Sequence, residues 1–377
     1  MGQHYIFSAP GRTEIGGNHT DHQHGCVLAA AVNLETVANV TLNDTNTIVI
    51  RSEGYPEVSV CLDDLTVHPE EANTTAALVR GVAAAFAQRG ANPEGFDAAV
   101  HSTVLPGSGL SSSAAFEVLI GTILNELFFD KKLSPIEIAQ IGQYAENVYF
   151  GKPCGLMDQM ASSVGGMVYI DFENSEHPVV EKINFDFQKE GYDLCIIDSG
   201  ADHADLTDEY AAITRELKAL CAYFGKDYLR QIPEATFLAA LPELRKTVSD
   251  RAILRAMHVY RENDRVKAQL AALKAKDIDT FLRLVTESGH SSWMYLQNIY
   301  PAGAVQKQPV AFALALCDSL LCGKGACRVH GGGFAGTVQA FVPHDMLETF
   351  KQTIEANLGE GSCHVLNIRP YGGIRIQ

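Results

Sequence analysis

The sequence predicts an α+β protein of two domains. Three observations predict this class: the chain has 377 residues, 46% of them are hydrophobic, and segments with strand character are mixed with helical segments in both halves. This length is enough for two domains of about 100 to 200 residues each. Because strands neither alternate regularly with helices nor segregate from them, two α+β domains fit best. We expect the domains to be residues 1–195 and 196–377.

The predicted elements follow one another in a clear order. Runs of β-branched and aromatic residues indicate strands, and apolar residues at helical spacing indicate helices. In the first half, the predicted strands are 5–8, 27–32, 36–42, 47–51, 57–61 and 96–104, and the predicted helices are 75–88, 114–128 and 135–149. In the second half, the predicted strands are 193–198, 337–342 and 364–368, and the predicted helices are 207–224, 253–275, 277–290, 309–321 and 346–358.

Composition and charge exclude several classes of function. A net charge of −16 argues against a nucleic-acid partner, because nucleic-acid phosphates require a basic surface. No apolar stretch reaches the roughly 20 residues of a membrane helix, and the first residues have no signal-peptide profile. The nine cysteines include no Cys-x-x-Cys pair, so reduced thiols are expected. We therefore expect a cytoplasmic protein that binds neither nucleic acid nor membrane.

Residues 105–115, Leu-Pro-Gly-Ser-Gly-Leu-Ser-Ser-Ser-Ala-Ala, form a turn that opens into a predicted helix. Gly107 and Gly109 can adopt backbone angles closed to other residues, so consecutive N–H groups can converge on an anion, and the helix adds its positive end. The turn is neither a Walker motif nor a dinucleotide fingerprint, which would need a third glycine where Ser112 stands. An ordinary serine-rich helix cap is the alternative. The candidate nucleotide-binding residues are Pro106, Gly107, Ser108, Gly109, Leu110, Ser111, Ser112 and Ser113.

A second polar segment, residues 9–22, is predicted to be a loop between two strands. It reads Ala-Pro-Gly-Arg-Thr-Glu-Ile-Gly-Gly-Asn-His-Thr-Asp-His. Its histidines and Asp21 would also suit a metal ion. Hydrogen bonding to a polyhydroxylated ligand is the simpler use, because one carboxylate can accept from two sugar hydroxyls. Arg12 adds a permanent cation with a planar fork of donors.

A third segment, residues 326–337, holds glycines at 331, 332, 333 and 336. So many glycines allow a close backbone approach to a ligand or another loop. In this order and spacing, the three segments strongly resemble those of the GHMP small-molecule kinases, and within them the galactokinase branch. Residues 154–160, Cys-Gly-Leu-Met-Asp-Gln-Met, resemble that branch's catalytic aspartate loop, and Tyr210 follows Asp-Glu where the branch carries its sugar-binding tyrosine.

The resemblance spans nearly the whole chain and implies both a fold and a reaction. The implied fold has a ribosomal protein S5 domain 2-like N-terminal domain, a ferredoxin-like C-terminal domain and an active site in the cleft between them. The implied reaction is that of a galactokinase: ATP-dependent phosphorylation of the anomeric hydroxyl of galactose, giving galactose 1-phosphate. ATP would be the co-substrate and Mg²⁺ the cofactor. A monomer or a weak homo-oligomer is expected.

The same resemblance implies roles for individual residues. Asp158 would be the catalytic carboxylate and Arg12 its partner, which would lower the pKa of Asp158 and stabilise charge on the transferred phosphoryl group. Ser113 and Glu146 would be the magnesium ligands, an oxygen donor set suited to a hard cation. The implied sugar-binding residues are Asn18, His19, Asp21, Gly155 and Tyr210.

One departure from the pattern keeps a second substrate open. Galactokinases usually carry glutamate where this chain has Asn18, and a neutral amide there would relax repulsion against a carboxylate at carbon 6. A uronic acid 1-kinase, acting on galacturonate or glucuronate, is therefore the alternative within the family, with His22 or His24 supplying positive charge. A non-catalytic ATP- and sugar-binding sensor is the alternative from another class. Such sensors typically lack the Ser-Ala pair of the phosphate loop, which here is residues 105–115, whereas this chain keeps Ser113 and Ala114.

Overall fold

Two β-sheets organise the structure, a computed structural model that describes residues 3–104, 109–201 and 206–377. Within these residues, eight strands form the first sheet and four form the second. The strands are β1 (His4–Gly16), β2 (Cys26–Leu42), β3 (Thr47–Ser52), β4 (Val58–Cys61), β5 (Phe96–Ser102), β6 (Met167–Asp171), β7 (Val179–Ile183), β8 (Tyr192–Asp198), β9 (Ala326–Val329), β10 (Thr337–Pro343), β11 (Cys363–Leu366) and β12 (Ile374–Arg375).

Helices cover both sheets and fill the space between them. They are α1 (Thr75–Gln88), α2 (Ser112–Phe128), α3 (Pro135–Tyr144), α4 (Met157–Val164), α5 (Thr207–Tyr223), α6 (Glu234–Ala239), α7 (Leu241–Thr247), α8 (Asp250–Ala275), α9 (Ile278–Ser291), α10 (Pro309–Leu321) and α11 (Leu347–Leu358). A π-helical turn extends α3 over Ala145–Phe150, and another extends α9 over Ser292–Leu296.

The first sheet is built around a long hairpin of β1 and β2. Its strand order is β12-β1-β2-β5-β3-β4, and β6 pairs with the first part of β2 and with β7. All neighbours are antiparallel except β3 and β5, which are parallel. The connection between β1 and β2, residues 17–25, carries three of the predicted sugar-binding residues, Asn18, His19 and Asp21. We call residues 17–25 the sugar loop.

Strand β1 corrects one expectation from the sequence. Residues 9–16 were expected in a loop, but they continue β1 as far as Gly16. Proline lacks the N–H that a strand ladder uses, and the sequence Pro-Gly therefore argued for a loop. The register against β2 shifts between Pro10 and Arg12, so a bulge accommodates the proline without ending the strand. Arg12 consequently projects from a strand of the central hairpin.

The second sheet has the order β11-β8-β10-β9 and is antiparallel throughout. The boundary expected after residue 195 falls inside β8, which begins the second sheet at Tyr192. The chain also returns to the first sheet at its end, because β12 pairs with β1. The division into two domains stays a prediction, and a division by sheets would begin the second unit at β8.

Apolar clusters hold these layers together. Helices α1, α2 and α3 pack on the first sheet, with Phe7, Phe86 and Leu119 fully buried. A second cluster joins the two sheets through α9, and its members include Leu28 of β2 and Ile196 of β8. These joined cores position the ends of β1, α2 and α4 relative to the loop that follows β9.

Candidate active site

Asp158 and Arg12 form an ion pair at the centre of the candidate site. Asp158 lies in the first turn of α4, and Arg12 reaches it from β1. The pairing is bidentate, because Arg12 Nε donates to Asp158 Oδ1 and Nη2 donates to Oδ2, each at 2.7 Å. Arg12 is almost fully buried, whereas about a third of the Asp158 side chain (33%) is exposed. The planar guanidinium group of Arg12 thus holds the Asp158 carboxylate in one orientation and leaves part of it accessible.

The surroundings of Asp158 keep its carboxylate ionised. Burial alone would raise the pKa of Asp158, but the charge and hydrogen bonds of Arg12 and the Ser111 hydroxyl hold it below the usual value. The first turn of α4 adds a favourable helix dipole. An aspartate here could instead have capped α4. The hydrogen bonds found for the Asp158 carboxylate within the described residues come from the side chains of Arg12 and Ser111.

The predicted phosphate loop meets β1 at this pair. The Arg12 backbone N–H donates to Leu110 O at 3.0 Å, and Arg12 Nη1 donates to Gly109 O. Ser111 has a left-handed backbone (φ 57°) immediately before α2. Ser112 and Ser113 lie in the first turn of α2. The positive end of the α2 helix dipole therefore lies beside Asp158. Pro106, Gly107 and Ser108 lie outside the described residues.

The predicted magnesium ligands lie on two helical segments. Ser113 is in α2, and Glu146 is buried in the π-helical turn after α3. Gln159 Nε2 donates to Glu146 Oε2 and to Glu117 Oε2, each at 2.9 Å, so two carboxylates share one amide. Burial and the charge of Glu146 raise the pKa of Glu117 well above its usual value.

The oxygen donors of Ser113 and Glu146 suit magnesium, although they do not form a complete coordination shell. Hydroxyl and carboxylate oxygens are the donors that Mg²⁺ prefers, and Glu117 Oε1 is buried without a hydrogen-bond partner among the described residues. Within that part of the chain, no group of three or more His, Cys, Asp or Glu side chains is arranged to hold a metal ion. A cation held by Ser113 and Glu146 would therefore take its remaining ligands from the nucleotide and water, which is usual for Mg²⁺.

Three of the five predicted sugar residues, Asn18, His19 and Tyr210, bond to carbonyls of the third glycine segment. His19 Nε2 bonds to Gly332 O at 3.0 Å, and Tyr210 Oη donates to Gly333 O at 2.8 Å. Burial, followed by the neighbouring His22, lowers the pKa of His19 to about 4. His19 is therefore neutral near pH 7. Because Nε2 then carries the proton donated to Gly332 O, Nδ1 remains as an acceptor.

Asp21 and Gly155 are in direct contact. A Cβ atom built on Gly155 would lie only 2.2 Å from Asp21 Oδ2, so any larger residue would displace the carboxylate. The other oxygen, Oδ1, accepts from the His22 backbone N–H at 2.9 Å. Gly155 therefore allows the Asp21 carboxylate to pack against the loop that leads to Asp158.

The position of the Asn18 side chain differs from the expectation that it lies beside carbon 6 of the sugar. Its side chain is fully buried, and Nδ2 donates to Gly331 O at 2.6 Å and to Glu14 Oε1 at 3.3 Å. Its Oδ1 accepts from Asn298 Nδ2 at 2.9 Å and from Ser292 Oγ at 3.3 Å. Protein groups thus occupy all four hydrogen-bonding positions of the amide. Asn18 supports the sugar loop and has no polar atom left over for carbon 6 of a sugar.

Helix α8 supplies supporting residues that the sequence analysis missed. His258 Nε2 bonds to Asn18 O at 2.9 Å, and Glu262 Oε1 accepts from the Gly17 N–H at 3.3 Å. Both side chains are fully buried, as are Arg255 and Gln269 on the same helix. Polar residues at helical spacing were the only signal, and that pattern is also typical of a solvated helix face. Their role depends on the sugar loop that covers them.

Two family models match parts of the chain. Residues 77–166 match the N-terminal domain of GHMP kinases, and residues 1–42 match the galactose-binding signature of galactokinases. The chain therefore has a GHMP kinase N-terminal domain and carries a galactokinase signature at the strands and loop that hold Arg12 and Asp21.

Solved structures give the same result for the fold. The galactokinase of Lactococcus lactis complexed with galactose is 25% identical, with a TM-score of 0.82 over 99% of this chain and 95% of that one. Mevalonate kinase of Methanococcus jannaschii is 14% identical, with a TM-score of 0.69 over 97% and 98%. D-glycero-D-manno-heptose 1-phosphate kinase of Bacteroides thetaiotaomicron is 16% identical, with a TM-score of 0.67 over 99% and 98%. The chain is thus similar to galactokinases in its N-terminal signature and in its fold. None of the helices in its described residues combines the length and apolar character of a membrane span.

Proposed function

We propose that this chain is an ATP-dependent sugar 1-kinase that phosphorylates the anomeric hydroxyl of galactose or a closely similar neutral hexose. The observation that carries the proposal is the Asp158 carboxylate, which Arg12 holds ionised beside the start of α2. A carboxylate in this place can accept a hydroxyl proton where a nucleotide's phosphates would bind the helix terminus. The galactose-binding signature supports a galactose-type acceptor.

The proposed mechanism uses these groups as follows. Asp158 accepts a hydrogen bond from the anomeric hydroxyl and orients its oxygen towards the terminal phosphorus of ATP. As the new oxygen–phosphorus bond forms and the bond to ADP breaks, the hydroxyl proton passes to Asp158. Arg12 and the N–H groups at the start of α2 stabilise the negative charge on the phosphoryl group. A magnesium ion held by Ser113 and Glu146 would, when bound, neutralise charge on the nucleotide.

The charges at the site favour a neutral sugar over a uronic acid. The two buried arginines nearby are each paired with a carboxylate, Arg12 with Asp158 and Arg328 with Glu14 at 2.7 Å. His19 is neutral near pH 7, so it would not balance a sugar carboxylate. Leaving such a charge unpaired in a partly buried site costs several kcal/mol by general estimates.

The two histidines expected to supply charge for a uronic acid are poorly suited to that role. The His24 ring stacks on Tyr228 with centroids 3.7 Å apart, and burial lowers the pKa of His24. His22 is more exposed and lies 3.7 Å from Asp21 Oδ1, so its charge would first meet a carboxylate of the protein. Neither arrangement provides a dedicated cation for carbon 6.

A side-by-side rate comparison tests the proposal. The protein would be assayed with ATP, magnesium and each of galactose, galacturonate, glucuronate and N-acetylgalactosamine, with ADP release as the readout and ³¹P NMR to locate the phosphate. We expect galactose to have the highest kcat/KM and the product to be the 1-phosphate. A higher kcat/KM for either uronic acid would refute the neutral-sugar assignment. Binding of both ATP and sugar without ADP release would instead support the sensor.

A further inference from the structure

His330 is a buried histidine that the proposed reaction does not use. It follows β9 and precedes the three glycines at 331–333, and only 2% of it is exposed. Its Nε2 lies 3.2 Å from the Glu14 backbone nitrogen and 3.0 Å from Thr13 Oγ1. Its Nδ1 lies 2.9 Å from Thr337 Oγ1. The ring therefore links β1, through Nε2, to the start of β10, through Nδ1.

The partners of His330 fix its tautomer. The Glu14 backbone N–H can only donate, so Nε2 must be the unprotonated acceptor, and Nδ1 must carry the hydrogen that it donates to Thr337. Thr13 fits this assignment, because its hydroxyl accepts from Gln339 Nε2 at 2.9 Å and keeps its own hydrogen for Nε2. Burial and the charges of Arg12 and Arg328 lower the pKa of His330 well below its usual value, which favours the same neutral ring.

The same ring lies directly against the phosphate loop. A Cβ atom built on Gly109 would be 3.1 Å from His330 Nδ1 and 3.3 Å from Thr337 Oγ1, so the loop backbone rests on this pair. Gly109 has a left-handed backbone (φ 72°), and its carbonyl accepts from Arg12. Residues Thr13 and Glu14, which His330 bonds, immediately follow Arg12 in β1.

We propose that His330 is a positioning residue for the nucleotide's phosphates, which holds the phosphate loop at Gly109 in register with Arg12. This inference rests on the proposed kinase function. The imidazole fixes both surfaces at once: its Nε2 holds the β1 backbone beside Arg12, and its Nδ1 edge supports Gly109. Loss of the ring would let the loop move relative to the arginine that faces the transferred phosphoryl group. Nucleotide binding would therefore weaken before sugar binding does.

A crossed experiment with a second buried histidine tests this inference. His258 is fully buried and also bonds through both nitrogens, Nδ1 to Ser291 Oγ and Nε2 to Asn18 O, each at 2.9 Å. It supports the sugar loop instead of the phosphate loop. Dissociation constants for the non-hydrolysable ATP analogue AMP-PNP with magnesium, and for galactose, would be measured by calorimetry on wild type, His330→Leu and His258→Leu.

The inference predicts opposite patterns in the two variants. His330→Leu should weaken AMP-PNP binding about 10- to 30-fold, as expected when the hydrogen bonds at both ring nitrogens are lost, and should weaken galactose binding by a clearly smaller factor. His258→Leu should weaken galactose binding more than AMP-PNP binding. Equal weakening of both ligands in both variants, or unchanged AMP-PNP binding in His330→Leu, would overturn the inference. If the wild type binds neither ligand, the proposed function fails instead.

Two milder measurements keep the test valid if His330→Leu does not fold. Thr13→Val removes one donor to Nε2 while keeping the side-chain shape, and it should weaken AMP-PNP binding a few-fold with galactose binding unchanged. In the wild type, ¹⁵N NMR should show His330 protonated at Nδ1 alone, with resonances that AMP-PNP shifts more than galactose does. Protonation at Nε2, or a Thr13→Val variant with wild-type affinity for AMP-PNP, would refute the positioning role.

Discussion

Asp158→Asn is the sharpest test of the proposed chemistry. The change keeps the shape of the side chain but removes its negative charge and its capacity to take a proton. General acid–base groups contribute about 10²- to 10⁴-fold to rate, equivalent to about 2.7 to 5.4 kcal/mol of transition-state stabilisation. We therefore expect kcat to fall by about that factor, with dissociation constants for sugar and nucleotide within a few-fold of wild type.

The same change has a structural effect that must be separated from catalysis. The asparagine oxygen can still accept from Arg12, but its amide would face one of the two donors that now meet Oδ1 and Oδ2. An unsatisfied buried donor costs about 1 to 3 kcal/mol, and the lower end applies because a third of the Asp158 side chain (33%) is exposed. A urea unfolding series would measure this loss directly.

Asp171→Asn is a matched control for Asp158→Asn. Asp171, at the end of β6, pairs with Arg230 at 3.0 Å, and its side chain is 17% exposed. The change therefore removes a partly buried ion pair that involves neither Arg12 nor Asp158, and Arg230 keeps its contact with Glu173 at 3.2 Å. We expect a loss of stability of about 1 kcal/mol, with kcat within about 2-fold of wild type because Asp171 does not contact the proposed catalytic pair. Near-normal kcat in Asp158→Asn, or an equal fall in both variants, would refute the assigned role of Asp158.

Three further predictions concern the surroundings of this pair. Because the pKa of Glu117 is raised, the folded state keeps a proton that the unfolded state releases above about pH 4.3, and wild-type stability falls as pH rises. Without ligands, Glu117→Gln should therefore gain stability relative to wild type between about pH 4 and pH 8. A difference in unfolding midpoint that does not change with pH would contradict this. Gly155→Ala should displace Asp21 and weaken galactose binding about 10-fold, with AMP-PNP binding unchanged. Calorimetry measures both affinities, and equal losses for the two ligands would contradict this prediction. Asn18→Glu places a carboxylate against Gly331 O and should lower the free energy of unfolding in urea by about 3 kcal/mol. Wild-type stability together with an altered sugar preference would contradict the role of Asn18 as a buried support of the sugar loop.

Local signals in the sequence predicted much of the fold. Helix α1 begins and ends where the pattern indicates, because the Thr74 side chain caps it by accepting from the Ala77 N–H and Gly90 follows its last turn. The sequence did not predict α4, which has only eight residues, or the two residues of β12. Elements this short depend on what they pack against, and β12 forms only because the chain end returns to β1.

The sequence motifs also predicted which distant residues meet, but not which buried groups support them. Arg12 and Asp158 are 146 positions apart and meet as the resemblance implies. His258 and Glu262 were missed because a polar residue on a long helix has the same sequence pattern whether water or a loop covers it. Only the course of the sugar loop over α8 shows that these side chains are buried.

Asn18 shows why one substitution cannot be interpreted without its neighbours. Taken alone, an amide in place of the usual glutamate removes a negative charge and suggests space for a sugar carboxylate. In the fold, Glu14 Oε1 accepts from Asn18 Nδ2 at 3.3 Å and from Arg328 Nη2 at 2.7 Å. The region around position 18 therefore still contains a carboxylate, and it gains no unpaired cation. A sugar carboxylate placed here would meet an Arg328 that is already paired with Glu14, which supports a neutral hexose as the acceptor.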